Sequence, residues 1–334
     1  MKIVFDAVEP EARELFEREL TGHELVFLTE KITPQTLQAV SDAEILSIFI
    51  SSPIQKDYLE ALPNLKCIAT RSTGTDHIDL AGAKAKNIVV SNVPVYGART
   101  VAEFAFALIL ALSRKAYAAY DRLRREGTTD VKDYEGFDLA GKTIGIVGTG
   151  HIGKNVARIA KGFAMNIIAF DVQPDESFAK ETGIVYRPLE DLVAESHIVT
   201  LHVPYLPATH HLINAELLAK FRAGGYLINT ARGAVVDTLA LARVLKNGPL
   251  AGAGLDVLEG ERELLDETSL LSEEHHDIKE FQALTAAHVL VDMPNVIVTP
   301  HIAFNTREAK HEINLTTCEN IKAFVSGKPE NVIG

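Results

Sequence analysis

The chain has 334 residues, a formal net charge of −12, and 47% hydrophobic and 23% charged residues. Its length outgrows one hydrophobic core and predicts two domains, and its composition is that of an ordinary soluble globular protein. The acidic balance, with no Lys/Arg-rich run, excludes a nucleic-acid partner. The longest apolar run, Phe104–Leu112, falls short of the roughly 18 residues that span a bilayer, so no membrane is expected. Cys67 and Cys318 have no CxxC spacing; they suit a reducing cytoplasm and imply neither a disulfide framework nor a metal site.

Met1-Lys-Ile-Val-Phe-Asp6 reads as a first strand, and Asp6 cuts its apolar stretch too short for a signal peptide. Short apolar runs then alternate with amphipathic stretches, the pattern of parallel sheets with helices on both faces. Strands are expected over Lys2–Phe5, Glu24–Leu28, Ile45–Ile50, Lys66–Thr70 and Ile88–Val90, with helices such as Glu11–Glu19 and Pro34–Val40 between them. One long helix is expected from Ala98 to Arg125, apolar on most sides through Phe104–Leu112. Such a helix must be buried, at a domain junction or a subunit contact, and it predicts a homodimer through the second domain. Six more strands follow: Thr143–Val147, Asn166–Phe170, Ile198–Leu201, Tyr226–Asn229, Gly252–Leu255 and Val296–Val298. A last helix, about residues 305–326, has no core of its own and is expected to return to the first domain.

The segment Thr143-Ile-Gly-Ile-Val-Gly-Thr-Gly-His-Ile-Gly153 is the most informative in the chain. Gly148 permits a tight turn, Gly150 lets the backbone approach a pyrophosphate, and Gly153 lets a helix pack closely on the sheet. The helix N-terminus then faces the phosphates. Asp171 closes the next strand, where a carboxylate can bind ribose hydroxyls. Its charge would repel a 2′-phosphate, and Val172-Gln173 supply no cation, so NAD is expected over NADP. The fold class is therefore α/β with two doubly wound parallel-sheet domains and a cleft between them. A Rossmann-type NAD domain, residues 99–299, is inserted into a flavodoxin-like substrate domain, residues 1–98 plus 300–334.

Three polar clusters lie at strand ends in the second domain: Asn229-Thr-Ala-Arg232-Gly, Gly254-Leu-Asp256-Val-Leu-Glu-Gly-Glu261 and Thr299-Pro-His301-Ile-Ala303. Hydride transfer to a 2-keto acid uses those residue types. A fixed cation stabilises the charge developing on the carbonyl oxygen, and an imidazole can deliver a proton near neutrality. A neighbouring carboxylate orients the imidazole. Arg232, His301 and Glu261 fit these roles. Against them, Arg232 could cap a loop, and His301 could be structural. Glu259, Glu261 and Glu263 could form a solvated acidic surface. The pairs His210-His211 and His275-His276 lack a paired metal-ligand spacing and read as surface loops.

The chain resembles the D-isomer-specific 2-hydroxyacid dehydrogenases over nearly its whole length. The matching segments are Arg71-Ser-Thr-Gly-Thr-Asp-His-Ile-Asp79, Asn92-Val-Pro-Val-Tyr96, Gly148–Gly153, Leu201-His-Val-Pro204, Asn229-Thr-Ala-Arg-Gly-Ala-Val-Val-Asp237, Gly254-Leu-Asp-Val257 and Thr299-Pro-His-Ile-Ala303. The resemblance implies a catalytic trio at Arg232, Glu261 and His301, with His301 the proton donor in reduction. It also implies a cofactor shell of His151, Ile152, Asp171, Val203, Pro204, Thr209, Thr230, Ala231, Arg232 and Asp256. Substrate carboxylate would be held by backbone N–H groups of Thr73 and Gly74.

Within the family, the pattern looks like the D-lactate dehydrogenase subgroup. Tyr96, Phe304 in His-Ile-Ala-Phe-Asn-Thr, and the insertion from Glu261 to Pro294 carry that likeness, and Phe49 aligns with an aromatic near the substrate. Thr73 stands where a small apolar residue is usual, and Gly97-Ala-Arg99 replaces the commoner Ser-Pro-x. The reading is NAD-dependent reduction of a small 2-keto acid, with pyruvate to D-lactate foremost. A glyoxylate/hydroxypyruvate reductase, a phosphoglycerate dehydrogenase, or an NADH-sensing corepressor that binds peptides are its rivals.

Overall fold

The computed structural model describes residues 1–260 and 278–333. The chain divides into two units, Met1–Gly97 with Asn305–Gly334, and Ala98–Phe304 inserted between them in sequence. The return crossing falls after Phe304, not after residue 299. The cause is local: Asp256 of the inserted unit accepts hydrogen bonds from the backbone of Ile302 and Ala303 at 3.0 and 2.8 Å, which keeps this stretch with it.

In the first unit, strands β1 (Lys2–Phe5), β2 (Glu24–Phe27), β3 (Ile45–Ile48), β4 (Cys67–Thr70) and β5 (Val89–Ser91) form one parallel sheet in the order β2-β1-β3-β4-β5. This is the flavodoxin-like winding. Side chains alternate across the pleat and fill two layers. Ile3 and Phe5 pack with Phe16, Leu20, Cys318 and Ile321, while Val4 faces the opposite layer with Leu46, Ile48 and Ile68. Phe5 lies 4.3 Å from Phe16 and 5.1 Å from Phe27, ring centre to ring centre. The last helix, Arg307–Val325, is capped by the Thr306 hydroxyl, which accepts from Ala309 N–H at 3.2 Å. It returns to the first sheet through Cys318 and Ile321. Both cysteines are free and buried, and burial pushes each thiol up to about 12.

The inserted unit has seven parallel strands: β6 (Thr143–Val147), β7 (Asn166–Phe170), β8 (Val185–Tyr186), β9 (Ile198–Leu201), β10 (Gly225–Asn229), β11 (Leu250–Leu255) and β12 (Val296–Val298). Their order, β12-β11-β10-β9-β6-β7-β8, is that of a dinucleotide-binding domain. Sequence reasoning found six of these. It missed β8, which is two residues long and too short to show a periodicity.

The expected single helix from Ala98 to Arg125 is two helices, Ala98–Ser113 and Ala116–Glu126. The break has no Gly or Pro. The Ser113 carbonyl instead accepts from Phe137 N–H at 2.9 Å, and Lys115 turns into the left-handed region with φ +50°. The apolar stretch is buried inside its own unit, since Ala102, Ala105, Phe106, Ile109 and Leu112 pack with Ile144, Ile146, Val156 and Ala160. Tyr117, Tyr120 and Leu123 on the second helix remain exposed, at 57%, 61% and 50%. Among the described residues no helix is long and apolar enough to cross a membrane.

Candidate active site

The glycine turn sits between β6 and the helix His151–Gly162, at the carboxyl edge of the seven-stranded sheet. Gly148 has φ +93°, and a Cβ there would come 2.6 Å from the His202 carbonyl oxygen. At Gly153 a Cβ would overlap the Gly148 carbonyl, so only glycine lets this helix approach its own turn. Gly150 differs from both, because a Cβ there meets nothing within 4 Å. Its role is to leave room beside the helix N-terminus, where backbone N–H groups and the helix dipole favour a phosphate. The tight turn expected at Gly148 and the close helix packing expected at Gly153 are thus both present.

Asp171 follows β7 and is held tightly. Its Oδ2 accepts from Thr149 N–H at 2.6 Å and from Thr149 Oγ1 at 2.9 Å, and its Oδ1 accepts from Gln173 N–H at 2.9 Å. Partial burial is the largest influence on its carboxyl and works against ionisation. The bonds from Gln173 and Thr149 outweigh it together and hold the group below the usual carboxylate range. Sequence reasoning missed Tyr186, on the short β8. Its hydroxyl lies 3.0 Å from Thr149 Oγ1 and accepts from Asp175 N–H at 3.0 Å, so it braces the acid's partner.

The loop after β9 carries Val203, Pro204 and Thr209. The Thr209 hydroxyl donates to Pro204 O at 2.7 Å and accepts from Leu206 N–H at 2.8 Å, which folds the loop on itself. Next to it, burial pushes the His202 imidazole down to about 3, so this histidine is no proton donor near neutrality. After β10, Asn229 shapes the turn through Ala231 N–H to Oδ1 at 3.0 Å and Nδ2 to the Arg232 carbonyl at 3.0 Å. Arg232 Nη1 donates to Ala231 O at 2.8 Å. Gly233 then lets this turn press against the next strand's loop, because a Cβ there would overlap Leu258. Thr230 Oγ1 is buried with no hydrogen-bond partner among the described residues. An orphaned hydroxyl on the same sheet edge as an open glycine turn and a fixed carboxylate fits a bound dinucleotide.

His301 follows β12 and stands in the left-handed region with φ +54°, a strained conformation for a residue with a side chain. What holds it is Asp256, 1% exposed at the end of β11. The carboxylate accepts from Thr299 Oγ1 at 2.5 Å, Ile302 N–H at 3.0 Å and Ala303 N–H at 2.8 Å. The Asp256 carbonyl accepts from His301 N–H at 2.9 Å. Asp256 is expected in the cofactor shell, and its carboxylate oxygens also support the His301 turn. Burial, the dominant influence, raises its carboxyl above the usual range against those bonds. Phe304 packs edge-on to His301, with ring centres 6.3 Å apart. β10, β11 and β12 are parallel neighbours, so Arg232, Asp256 and His301 all leave the same sheet edge. Glu261, and the pair His275-His276, lie outside the described residues.

The pair His210-His211 lies in the loop after β9, with His210 exposed and His211 half-buried. His211 Nε2 pairs with Glu259 Oε1 at 2.9 Å, and the ligand atoms of His210, His211 and Glu259 lie within 4.8 Å of one another. The two imidazoles stack at 4.0 Å with planes 19° apart. Lone pairs of near-parallel rings run side by side, so one ion cannot lie in both planes.

In the first unit, the loop after β4 carries Thr73 and Gly74. Neither of their N–H groups donates to another group among the described residues. Thr73 Oγ1 donates to Val93 O at 2.7 Å, and Asn92 Nδ2 donates to Thr73 O at 2.7 Å. Phe49, after β3, is fixed by its N–H to Asp6 Oδ1 at 3.0 Å, and Asp6 pairs in turn with Arg71 at 2.5 Å. Tyr96 is half-buried, and Gly97 after it takes φ +54°.

Comparison with known proteins points to one family. Residues 106–303 match the NAD-binding domain model of the D-isomer specific 2-hydroxyacid dehydrogenases. A 2-hydroxyacid dehydrogenase homolog of Zymomonas mobilis is 39% identical over 93% of this chain and 92% of its own length. A glycerate dehydrogenase of Methylorubrum extorquens is 37% identical, covering 99% of this chain and 98% of its own. The crystal structure of D-lactate dehydrogenase from Aquifex aeolicus, complexed with NAD and lactic acid, superposes with a TM-score of 0.84 at 37% identity, covering 98% and 96% of the two chains. With its glycine turn, its fixed acid and these relatives, the chain belongs to the D-isomer specific 2-hydroxyacid dehydrogenase family and is an NAD-dependent oxidoreductase.

Proposed function

We propose that the chain reduces pyruvate to D-lactate. The observation that carries this reading is the strained turn that Asp256 builds for His301, on the sheet edge that Arg232 also leaves. Strain of this kind marks a residue whose placement matters. Bound NADH supplies a hydride to the carbonyl carbon. Arg232 stabilises the charge on the carbonyl oxygen, and the His301 imidazole donates a proton to that oxygen. Glu261 orients His301. The substrate carboxylate rests on the N–H groups of Thr73 and Gly74, and Phe49, Tyr96 and Phe304 are the side chains assigned to substrate binding. The cofactor rests on Gly148, Gly150, His151, Ile152, Gly153, Asp171, Val203, Pro204, Thr209, Thr230, Ala231, Arg232 and Asp256.

The working assembly is a cytoplasmic homodimer made through the NAD domain. Exposed Tyr117, Tyr120 and Leu123 on the helix Ala116–Glu126 support that contact, in place of the internal helix before it. The division of labour is a substrate domain, Met1–Gly97 with Asn305–Gly334, and an NAD domain, Ala98–Phe304.

The test is an NADH-oxidation panel of pyruvate, hydroxypyruvate, glyoxylate and longer 2-keto acids, run on wild type and His301→Ala. Pyruvate should give the highest kcat/KM. The variant should lose about 10²–10⁴-fold in kcat while its NADH dissociation constant stays near wild type. Comparable turnover by the variant would remove the proton-transfer role, and a clear preference for hydroxypyruvate would remove the D-lactate assignment.

A further inference from the structure

The first unit holds its bare N–H pair in an unusual way. A trans peptide is planar, so fixing one residue's carbonyl fixes the direction of the next residue's N–H on the opposite side. Both peptides that carry the exposed donors are pinned in this manner. The Ser72 carbonyl accepts from Val93 N–H at 3.0 Å, which aims Thr73 N–H. The Thr73 carbonyl accepts from Asn92 Nδ2 at 2.7 Å, which aims Gly74 N–H. The Ser72 hydroxyl ties the loop across its mouth by donating to Gly74 O at 2.7 Å.

Residues 92 and 93 are themselves held from the far end of the chain. Asn320, on the last helix and 1% exposed, donates from Nδ2 to the Asn92 carbonyl at 2.8 Å. Asn331 Nδ2 donates to Asn320 Oδ1 at 2.8 Å, and the Asn331 carbonyl accepts from Asn92 N–H at 3.1 Å. The tail then pairs with β5, through the antiparallel bridge Ser91–Val332 and Ile333 N–H to Val90 O at 2.8 Å. Asn331 sits at φ +52°, a left-handed position where its amide can reach Asn320.

We propose that Asn92, Asn320 and Asn331 are positioning residues for the substrate carboxylate, acting as a relay that aims the Thr73 and Gly74 N–H groups. This rests on the reading that those N–H groups bind the keto acid's carboxylate. An amide suits each step, because it donates with one atom and accepts with another. A carboxylate in the same places could only accept, and would repel the carbonyls of Asn92 and Thr73.

Asn331→Gly is the informative variant. Glycine keeps the left-handed backbone and the carbonyl bond from Asn92, and deletes only the side-chain link. Asn320→Ala removes two bonds at the buried centre. The full chain is assayed for pyruvate KM, kcat, NADH dissociation constant and the inhibition constant of oxamate, a carboxylate isostere of pyruvate. Pyruvate KM and oxamate Ki should rise together, by about threefold in Asn331→Gly and about tenfold in Asn320→Ala. Values of kcat and NADH affinity should stay within about twofold of wild type. If both variants keep wild-type KM and Ki, with only a lower melting temperature, the asparagines are structural and the proposal fails. Should Asn320→Ala fail to fold, Asn331→Gly alone decides by the same criteria. A wild-type chain that oxidises NADH with no 2-keto acid overturns the underlying reading instead, and that outcome is visible before any variant is made.

Discussion

Two turns, one in each unit, show opposite ways of fixing a functional loop. The His301 turn is held by a buried carboxylate, Asp256, which accepts the turn's own N–H groups. The Thr73-Gly74 loop is held through its carbonyls, by the Asn92 amide and the Val93 N–H, and through the Thr73 hydroxyl, which donates to the Val93 carbonyl. The first arrangement occupies backbone donors and leaves a side chain standing out. The second leaves the donors bare. A loop that must present an imidazole can give up its N–H groups, whereas a loop that must receive an anion cannot. The residue types behind each turn, Asp in one and Asn in the other, follow from what the turn has to offer.

The largest way to break this contrast is Asp256→Ala. It strands two backbone N–H groups, one of them buried, and a hydroxyl, and should cost about 2–5 kcal/mol in urea unfolding. The His301 turn should lose its geometry with it, lowering kcat about 100-fold. Wild-type kcat in this variant would mean that Asp256 supports the fold alone. A smaller effect is expected from Thr73→Val, which deletes the hydroxyl bond to Val93 and keeps the β-branched shape. Pyruvate KM should rise about threefold with kcat retained; a fall in kcat at constant KM would contradict the carbonyl-side support.

The smallest effect uses Asp171, a second carboxylate that accepts backbone N–H groups. It is shifted down, where Asp256 is shifted up, because it is less buried. A lowered carboxyl contributes stability that is present above its unfolded pKa and lost as pH falls through its folded pKa. The stability gap between wild type and Asp171→Asn should therefore be open at neutral pH and close below about pH 4. Urea midpoints measured at several pH values check this, and a gap that widens in acid would reverse the sign.

Much of this was legible in the residues. Strands such as Ile45–Ile48 and Ile198–Leu201 are apolar runs buried on both faces, the signal of a parallel sheet. Gly148, Gly150 and Gly153 could be assigned separate tasks before any coordinate, since each task needs glycine for a different steric reason. The break at Lys115 was not legible, because its cause is Phe137, distant in sequence. Nor was the work of Asp256, Tyr186 or the three asparagines. Each bonds a residue brought near by the fold, and an Asn at position 320 of a helix looks like any polar surface residue until the helix docks.

The tail that carries Asn331 has one more consequence. β5 lies at the edge of its sheet, and a bare edge strand is a template for pairing with another chain. By laying Val332 and Ile333 antiparallel along Ser91 and Val90, this segment covers that edge with backbone of opposite direction. The same few residues therefore guard Val89-Val90-Ser91 against intermolecular association. An edit to this end of the chain, for purification or immobilisation, therefore acts on the cover of a sheet edge.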